Sequence, residues 1–80
     1  MGRAEKLRVR FNEIPSNFTW DELVTLLSSY GFFQQNGKGS RRKFINADGL
    51  VINLHEPHPS NIVKKYMLRQ IKDKLEENSI

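Results

Sequence analysis

Two short segments of this chain contain the side chains best suited to bind an anion or to transfer a proton. The first is GKGSRRKF at 37–44, where a glycine-flanked turn leads into three consecutive cations. Four basic residues and no acid lie between Gly37 and Asn46. The second is HEPHP at 55–59, which contains both histidines. A cationic strand suits a polyanion such as nucleic acid, and histidine can move protons near neutral pH. The two segments together predict contact with RNA and raise the question of its cleavage.

The basic segment has two interpretations. Its cations can simply be solvated, protecting a sheet edge against aggregation. We favour nucleic-acid contact, because the cluster lacks acids and follows a flexible turn that can approach a phosphate backbone. The predicted RNA-binding residues are in this segment and at the start of the last helix: Lys38, Gly39, Ser40, Arg41, Arg42, Lys43, Lys64 and Lys65.

The histidines, His55 and His58, are separated by a proline turn. They can be ordinary surface or hydrogen-bonded loop residues, or they can bind phosphate and transfer protons to and from a ribose 2′-hydroxyl. A metal site is not expected, because the intervening Pro57 gives neither helical nor hairpin ligand geometry. The absence of cysteine also excludes thiolate ligands and disulfides.

Length and composition restrict the classes of function. The chain has 80 residues, a formal net charge of +4 and a sequence pI near 9.7. A single domain of this size buries only about 60–65% of its unfolded surface, which leaves no room for a large cofactor cavity. We therefore expect no cofactor and a site made of a few surface side chains. The sequence contains no apolar run long enough for a bilayer and no signal-like segment, so we expect a cytoplasmic protein.

Local patterns predict an α+β fold. Residues 1–17 are expected to form a helical or extended arm, and residues 18–80 a single RNA-binding domain. Thr19 and Glu22 form a capping-box pattern for a helix over 20–30 that Gly31 ends. Three strands are predicted at 32–35, 40–46 and 50–55, and a last helix at 62–77 with Ser60 or Asn61 as its cap.

Two-residue alternation assigns the strand side chains to two faces. The helices are expected to cover one face of an antiparallel three-stranded sheet and to leave the other wet. The predicted open face presents Arg41, Lys43, Asn53 and His55, and a bulge near Gly39 would move Arg42 onto it. The residues predicted to be buried are Leu23, Leu27, Phe44, Ile52, Leu54, Met67 and Ile71. Five further aromatic residues are favoured as core rather than as base-stacking surfaces: Phe18, Trp20, Tyr30, Phe32 and Phe33.

The order and spacing of these pieces resemble a known family. The pieces are TWDELV at 19–24, YGF at 30–32, GSRRKF at 39–44, HEPHP at 55–59 and an amphipathic last helix. Over about residues 18–77 they resemble the HicA toxins of bacterial toxin–antitoxin pairs. The resemblance implies an α-β-β-β-α fold like that of double-stranded-RNA-binding domains. It also implies an mRNA-cleaving activity that needs no metal, and a HicB-type antitoxin that masks the active face.

The sequence departs from the family pattern at one position. The family motif is Gly-Ser-His-x-x-Phe or Tyr, and its histidine is taken as catalytic, whereas this chain has Arg41 there. Arginine stays protonated, so it cannot act as a general base, but it can clamp a phosphate and stabilise its charge. The candidate catalytic residues are therefore Arg41 for the phosphate and His55 or His58 for the proton.

Several functions are compatible with these residues. The leading interpretation is an mRNA-binding toxin of a type II toxin–antitoxin system, leaning towards an endoribonuclease. The alternatives are an inactive toxin that binds RNA without cleaving it, a non-catalytic module of the double-stranded-RNA-binding type, and a small protein-interaction domain whose cations meet an acidic partner. Duplex-binding domains read the shape of a double helix, whereas an mRNA-cleaving toxin needs access to single strands.

Overall fold

The computed structural model describes residues 2–80 and has three helices and three strands. In chain order they are α1 (Arg3–Asn12), α2 (Trp20–Ser29), β1 (Phe33–Asn36), β2 (Arg41–Ile45), β3 (Val51–His55) and α3 (Lys65–Glu77). The predicted α-β-β-β-α arrangement is confirmed, and the possible additional N-terminal helix is present as α1.

The start of α2 is held by the predicted capping box. The Thr19 hydroxyl accepts a hydrogen bond from the Glu22 main-chain N–H at 3.2 Å, and the Glu22 carboxylate accepts one from the Thr19 N–H at 3.0 Å. Glu22 also pairs with Arg10 of α1. Burial alone would raise the pKa of Glu22, but the hydrogen bonds from Thr19 and the charge of Arg10 outweigh it and hold this pKa below its ordinary value.

The three strands form an antiparallel meander in the order β1-β2-β3. Arg41 lies opposite His55, Lys43 opposite Asn53 and Phe44 opposite Ile52. The pairing of β2 with β3 runs without interruption from Arg41 to Ile45. Arg42 therefore keeps its place on the same face as Phe44 and does not move onto the open face.

One apolar core lies between the helices and one face of the sheet. Phe44, Ile52 and Leu54 of the sheet are buried in it, and the Trp20 ring of α2 packs on Phe44 with 5.8 Å between centroids. Helix α1 contributes Leu7 and Phe11 to the same core. The other buried members come from α2, α3 and the connections: Phe18, Leu23, Leu26, Leu27, Phe32, Val63, Leu68, Ile71 and Leu75.

The prediction for the start of the last helix was wrong. Helix α3 begins at Lys65, and its N-cap is Lys64 rather than Ser60 or Asn61. The preceding residues are used in long-range pairing instead. The Asn61 carbonyl accepts a hydrogen bond from the Trp20 N–H, and the Val63 N–H donates to the Phe18 carbonyl, both at 2.7 Å. These bonds hold 61–63 extended, and a local capping signal cannot compete with them.

Three burial predictions also need correction. Tyr30 was favoured as core, yet it is only half-buried beside it. Phe33 was favoured as core, yet it is 71% exposed, because it pairs with Ile45 and therefore faces away from the helices. Phe32 is the buried member of this pair, and its N–H donates to the Leu27 carbonyl at the end of α2. Met67 is half-buried at the margin of the core, while Leu68 takes the fully buried position.

Candidate nucleic-acid interface and active site

The loop between β1 and β2 positions the cationic end of the sheet. It is closed by two main-chain hydrogen bonds, from the Gly37 N–H to the Arg41 carbonyl at 2.9 Å and from the Arg41 N–H to the Lys38 carbonyl at 3.1 Å. A Cβ at Gly37 would lie 3.0 Å from the Cβ of Arg41, so a larger residue fits this close turn only if Arg41 shifts by a few tenths of an ångström. Gly39 has a φ of +60°, in the left-handed region that glycine adopts without strain.

The open face of the sheet brings Arg41 and His55 together. They are direct neighbours on β2 and β3, and such cross-strand neighbours have Cβ atoms about 4.5–5.5 Å apart. The next pair on this face is Lys43 with Asn53. All four side chains are exposed, as the two-residue alternation predicted. The face therefore presents two cations, one amide and one imidazole in two adjacent rows.

Ser40 orients the imidazole of His55. The Ser40 Oγ lies 3.3 Å from the His55 Nδ1. If Nδ1 carries the proton and donates to Ser40, the lone pair is on Nε2, which can then accept a proton from a ligand. The backbone at this point is also fixed, because the Glu56 N–H donates to the Ser40 carbonyl at 2.8 Å and extends the β2–β3 ladder.

These residues line a shallow groove, which we call the first groove. Its volume is about 490 Å³. Its lining contains the cations Lys38, Arg41 and Lys43 together with His55, and no carboxylate. The complete set of lining residues is Gly37, Lys38, Arg41, Arg42, Lys43, Asn53, Leu54 and His55. A groove with this charge and an imidazole at one end can hold a phosphate and exchange a proton beside it.

Arg42 differs from its neighbours, because its guanidinium has partners within the chain. It pairs with Glu56 at 3.2 Å, and its Nη1 donates to the carbonyls of Gly39 at 2.8 Å and Arg41 at 2.7 Å. These contacts tie the loop to the end of β3. They also neutralise one of the four cations that the sequence places in this segment.

His58 lies in a second groove, around the edge of β3. This second groove has a volume of about 390 Å³ and meets the first at His55, which lines both. Lys64 contributes to it, whereas Lys65 is exposed at the first residue of α3. The residues lining the second groove are His55, Glu56, Pro57, His58, Pro59, Ser60, Ile62, Lys64, Tyr66 and Met67.

The structure thus brings part of the predicted site together. The predicted residues that line the first groove are Lys38, Arg41, Arg42, Lys43 and His55, while His58 and Lys64 line the second. Two exposed aromatic residues were not among the predicted site residues, Phe33 on the open face and Tyr66 in the second groove. Phe33 lies on this face because it pairs with Ile45, which shares the face of Arg41 and Lys43, and this pairing is not visible in the local sequence pattern.

Within residues 2–80, no group of three or more histidine, aspartate or glutamate side chains is arranged to hold a metal ion. Over the same residues, none of the helices combines the length and the apolar character that crossing a bilayer requires.

The fold and the grooves define a class of small two-layer α+β domains in which helices cover one sheet face and leave a basic face free. The family model described as HicA toxin of bacterial toxin-antitoxin matches residues 20–77, well over half of the chain. The chain therefore belongs to the HicA family, and this membership implies an antitoxin partner. No curated protein and no solved structure matches it.

Proposed function

We propose that this HicA-family toxin binds mRNA in the first groove and cleaves it there. The observation that carries the proposal is the pairing of Arg41 with His55 across β2 and β3, with Ser40 in contact with the imidazole. A phosphate stabiliser and a proton acceptor then lie side by side on a face whose groove contains no carboxylate. A ribose 2′-hydroxyl that attacks the adjacent phosphodiester requires both of these groups.

The proposed chemistry is a transesterification. His55 Nε2 takes the proton of the ribose 2′-hydroxyl. The 2′-oxygen then forms a bond to the adjacent phosphorus. Arg41 remains protonated and stabilises the negative charge that develops on the phosphate oxygens. The bond to the 5′-oxygen breaks, and that oxygen takes up a proton from water. The products are a 2′,3′-cyclic phosphate and a 5′-hydroxyl.

His55 is preferred over His58 as the proton acceptor. His55 lines the first groove together with Arg41, whereas His58 lines the second groove beyond the end of β3. His58 is therefore a suitable control, since it is the same residue type three positions away on the same exposed segment.

The test compares the purified parent protein with His55→Ala, His58→Ala and Arg41→His on a single-stranded mRNA fragment in the presence of a chelator. We expect the parent and His58→Ala to produce cyclic-phosphate ends and His55→Ala to lose this activity. If neither the parent nor Arg41→His cleaves the RNA, the chain is an RNA-binding protein and the ribonuclease proposal is wrong. If His55→Ala cleaves normally and His58→Ala does not, the proton acceptor is His58.

The partner in this proposal is a HicB-type antitoxin that covers the open face. Support comes from the concentration of cations in the first groove, which an acidic or RNA-mimicking surface would complement. Antitoxin and RNA should then exclude each other, which a competition measurement with labelled RNA would detect. Simultaneous binding of both would show that the antitoxin acts at another surface.

A further inference from the structure

An apolar row crosses the open face of the sheet beside the cations. Phe33 of β1 lies opposite Ile45 of β2, which lies opposite Val51 of β3. Phe33 is 71% exposed, while its neighbours in this row, Ile45 and Val51, are half-buried. Single exposed apolar side chains are common on proteins, but this one stands in a continuous row of three on the face that carries Arg41.

The rows of this face change from apolar to cationic in regular steps. The row after Phe33 contains Gln35, Lys43 and Asn53, and the row after that contains Arg41 and His55. Successive rows are two residues apart, which corresponds to about 7 Å along a strand. No carboxylate occurs in any of the three rows. An aromatic ring and a cation are thus separated by roughly the size of one nucleotide.

This combination distinguishes between forms of RNA. A duplex keeps its bases stacked inside and offers proteins its phosphates and hydroxyls, so an exposed phenyl ring gains nothing from it. A single strand offers the flat face of an unpaired base together with a phosphate, and aromatic side chains on binding surfaces stack on such bases. The charge of Lys43 and Arg41 complements the phosphates of the same strand.

We propose that Phe33 stacks on an unpaired base of single-stranded RNA whose neighbouring phosphate is held by Lys43. This inference rests on the proposed function and names its substrate as single-stranded. Phe33 is then a positioning residue, because it sets which nucleotide reaches Arg41 and His55 two rows further along. It has no role in proton transfer.

The test measures binding of a short 2′-O-methyl RNA strand, which cannot be cleaved at its 2′-hydroxyls, by fluorescence polarisation. The variants are Phe33→Ala, Phe33→Leu and Phe33→Trp, with Val9→Ala as the matched control. Val9 is 58% exposed on α1 and lies outside the sheet. Loss of one stacked base corresponds to a roughly 5- to 150-fold weaker affinity. We expect this loss for Phe33→Ala and Phe33→Leu, while Phe33→Trp and Val9→Ala bind as the parent does.

Two further ligands separate the possible causes. On a strand of the same length with abasic sites throughout, Phe33→Ala and the parent should bind equally, since no base is left to stack. On an RNA duplex the two should also bind equally. A full loss on the abasic strand would overturn the stacking proposal, because the ring would then act on the backbone or on folding.

Other outcomes would overturn the inference while leaving RNA binding intact. If Phe33→Leu retains the parent's affinity, an apolar contact suffices and stacking is wrong. If Phe33→Ala binds RNA normally but loses affinity for the cognate antitoxin, the apolar row contacts protein instead. If the parent binds no RNA while remaining folded by circular dichroism, the proposed function itself fails, and the present inference fails with it.

Discussion

The salt dependence of RNA binding tests which cations of the basic segment meet phosphate. Lys38, Arg41 and Lys43 line the first groove, and none of them is in the ion pairs found among residues 2–80. Arg42 is engaged by Glu56 and by two carbonyls. The structure therefore predicts three phosphate contacts from this segment rather than the four that its sequence suggests.

The magnitude follows from counterion release. Each phosphate contact to a single strand contributes about 0.7 to the slope of log affinity against log salt. Replacing Lys38, Arg41 and Lys43 together by Ala should reduce this slope by about 2. A four-fold increase in salt should then cost the parent roughly 20-fold more affinity than it costs the triple variant. Titrations of a labelled, uncleavable strand at several salt concentrations would measure both slopes.

Arg42→Ala is the matched control, since it removes the same charge from the same strand. Its slope should stay close to that of the parent, because the Arg42 guanidinium is occupied within the chain. An unchanged slope in the triple variant would refute the assignment of the first groove to RNA. A decrease of about 0.7 for Arg42→Ala would show that Arg42 leaves Glu56 to bind phosphate.

Four further predictions concern activity and stability. Arg41→His should raise the rate of RNA cleavage, because it restores the histidine of the family motif; an initial rate no higher than that of the parent would contradict this. Ile52→Ala should lower the free energy of unfolding by about 2–5 kcal/mol in urea titrations, since Ile52 is 3% exposed. Val51 is half-buried on the open face, so Val51→Ala should lower the free energy of unfolding clearly less. The lowered pKa of Glu22 stabilises the fold above the pKa of the unfolded chain, and this contribution is lost as the pH falls through the lower folded-state value. Glu22→Gln should therefore lose less stability on acidification than the parent does, and equal acid sensitivity of the two proteins would contradict this prediction. Thr19→Ala should lower the free energy of unfolding by about 1 kcal/mol at neutral pH, because the helix cap is lost.

Strand parity is the part of the site that the sequence predicted best. Side chains alternate between the two faces of any strand, so the apolar positions Phe44, Ile52 and Leu54 also define where the polar positions point. The structure places Arg41 and His55 on the open face as direct neighbours. The start of α2 was equally predictable, because a capping box involves residues only three positions apart.

The start of α3 and the exposure of Phe33 were beyond local patterns. Ser60 and Asn61 are good caps by residue type, yet main-chain bonds to Phe18 and Trp20, some forty residues earlier, keep that segment extended. Phe33 is apolar enough for a core, but the strand pairing turns it outward. In both cases contacts with residues distant in sequence determine the local structure.

The sequence by itself determined the two-layer fold and the basic face, because helical and strand periodicities act over a few residues and admit one apolar side for each element. Only the tertiary structure decided which members of that face are available. It pairs Arg42 with Glu56, brings Ser40 to His55, separates His58 into the second groove and leaves Phe33 uncovered. Each of these outcomes depends on which groups meet across strands and around the sheet edge, and electrostatic pairing and burial are properties of that spatial arrangement rather than of residue type.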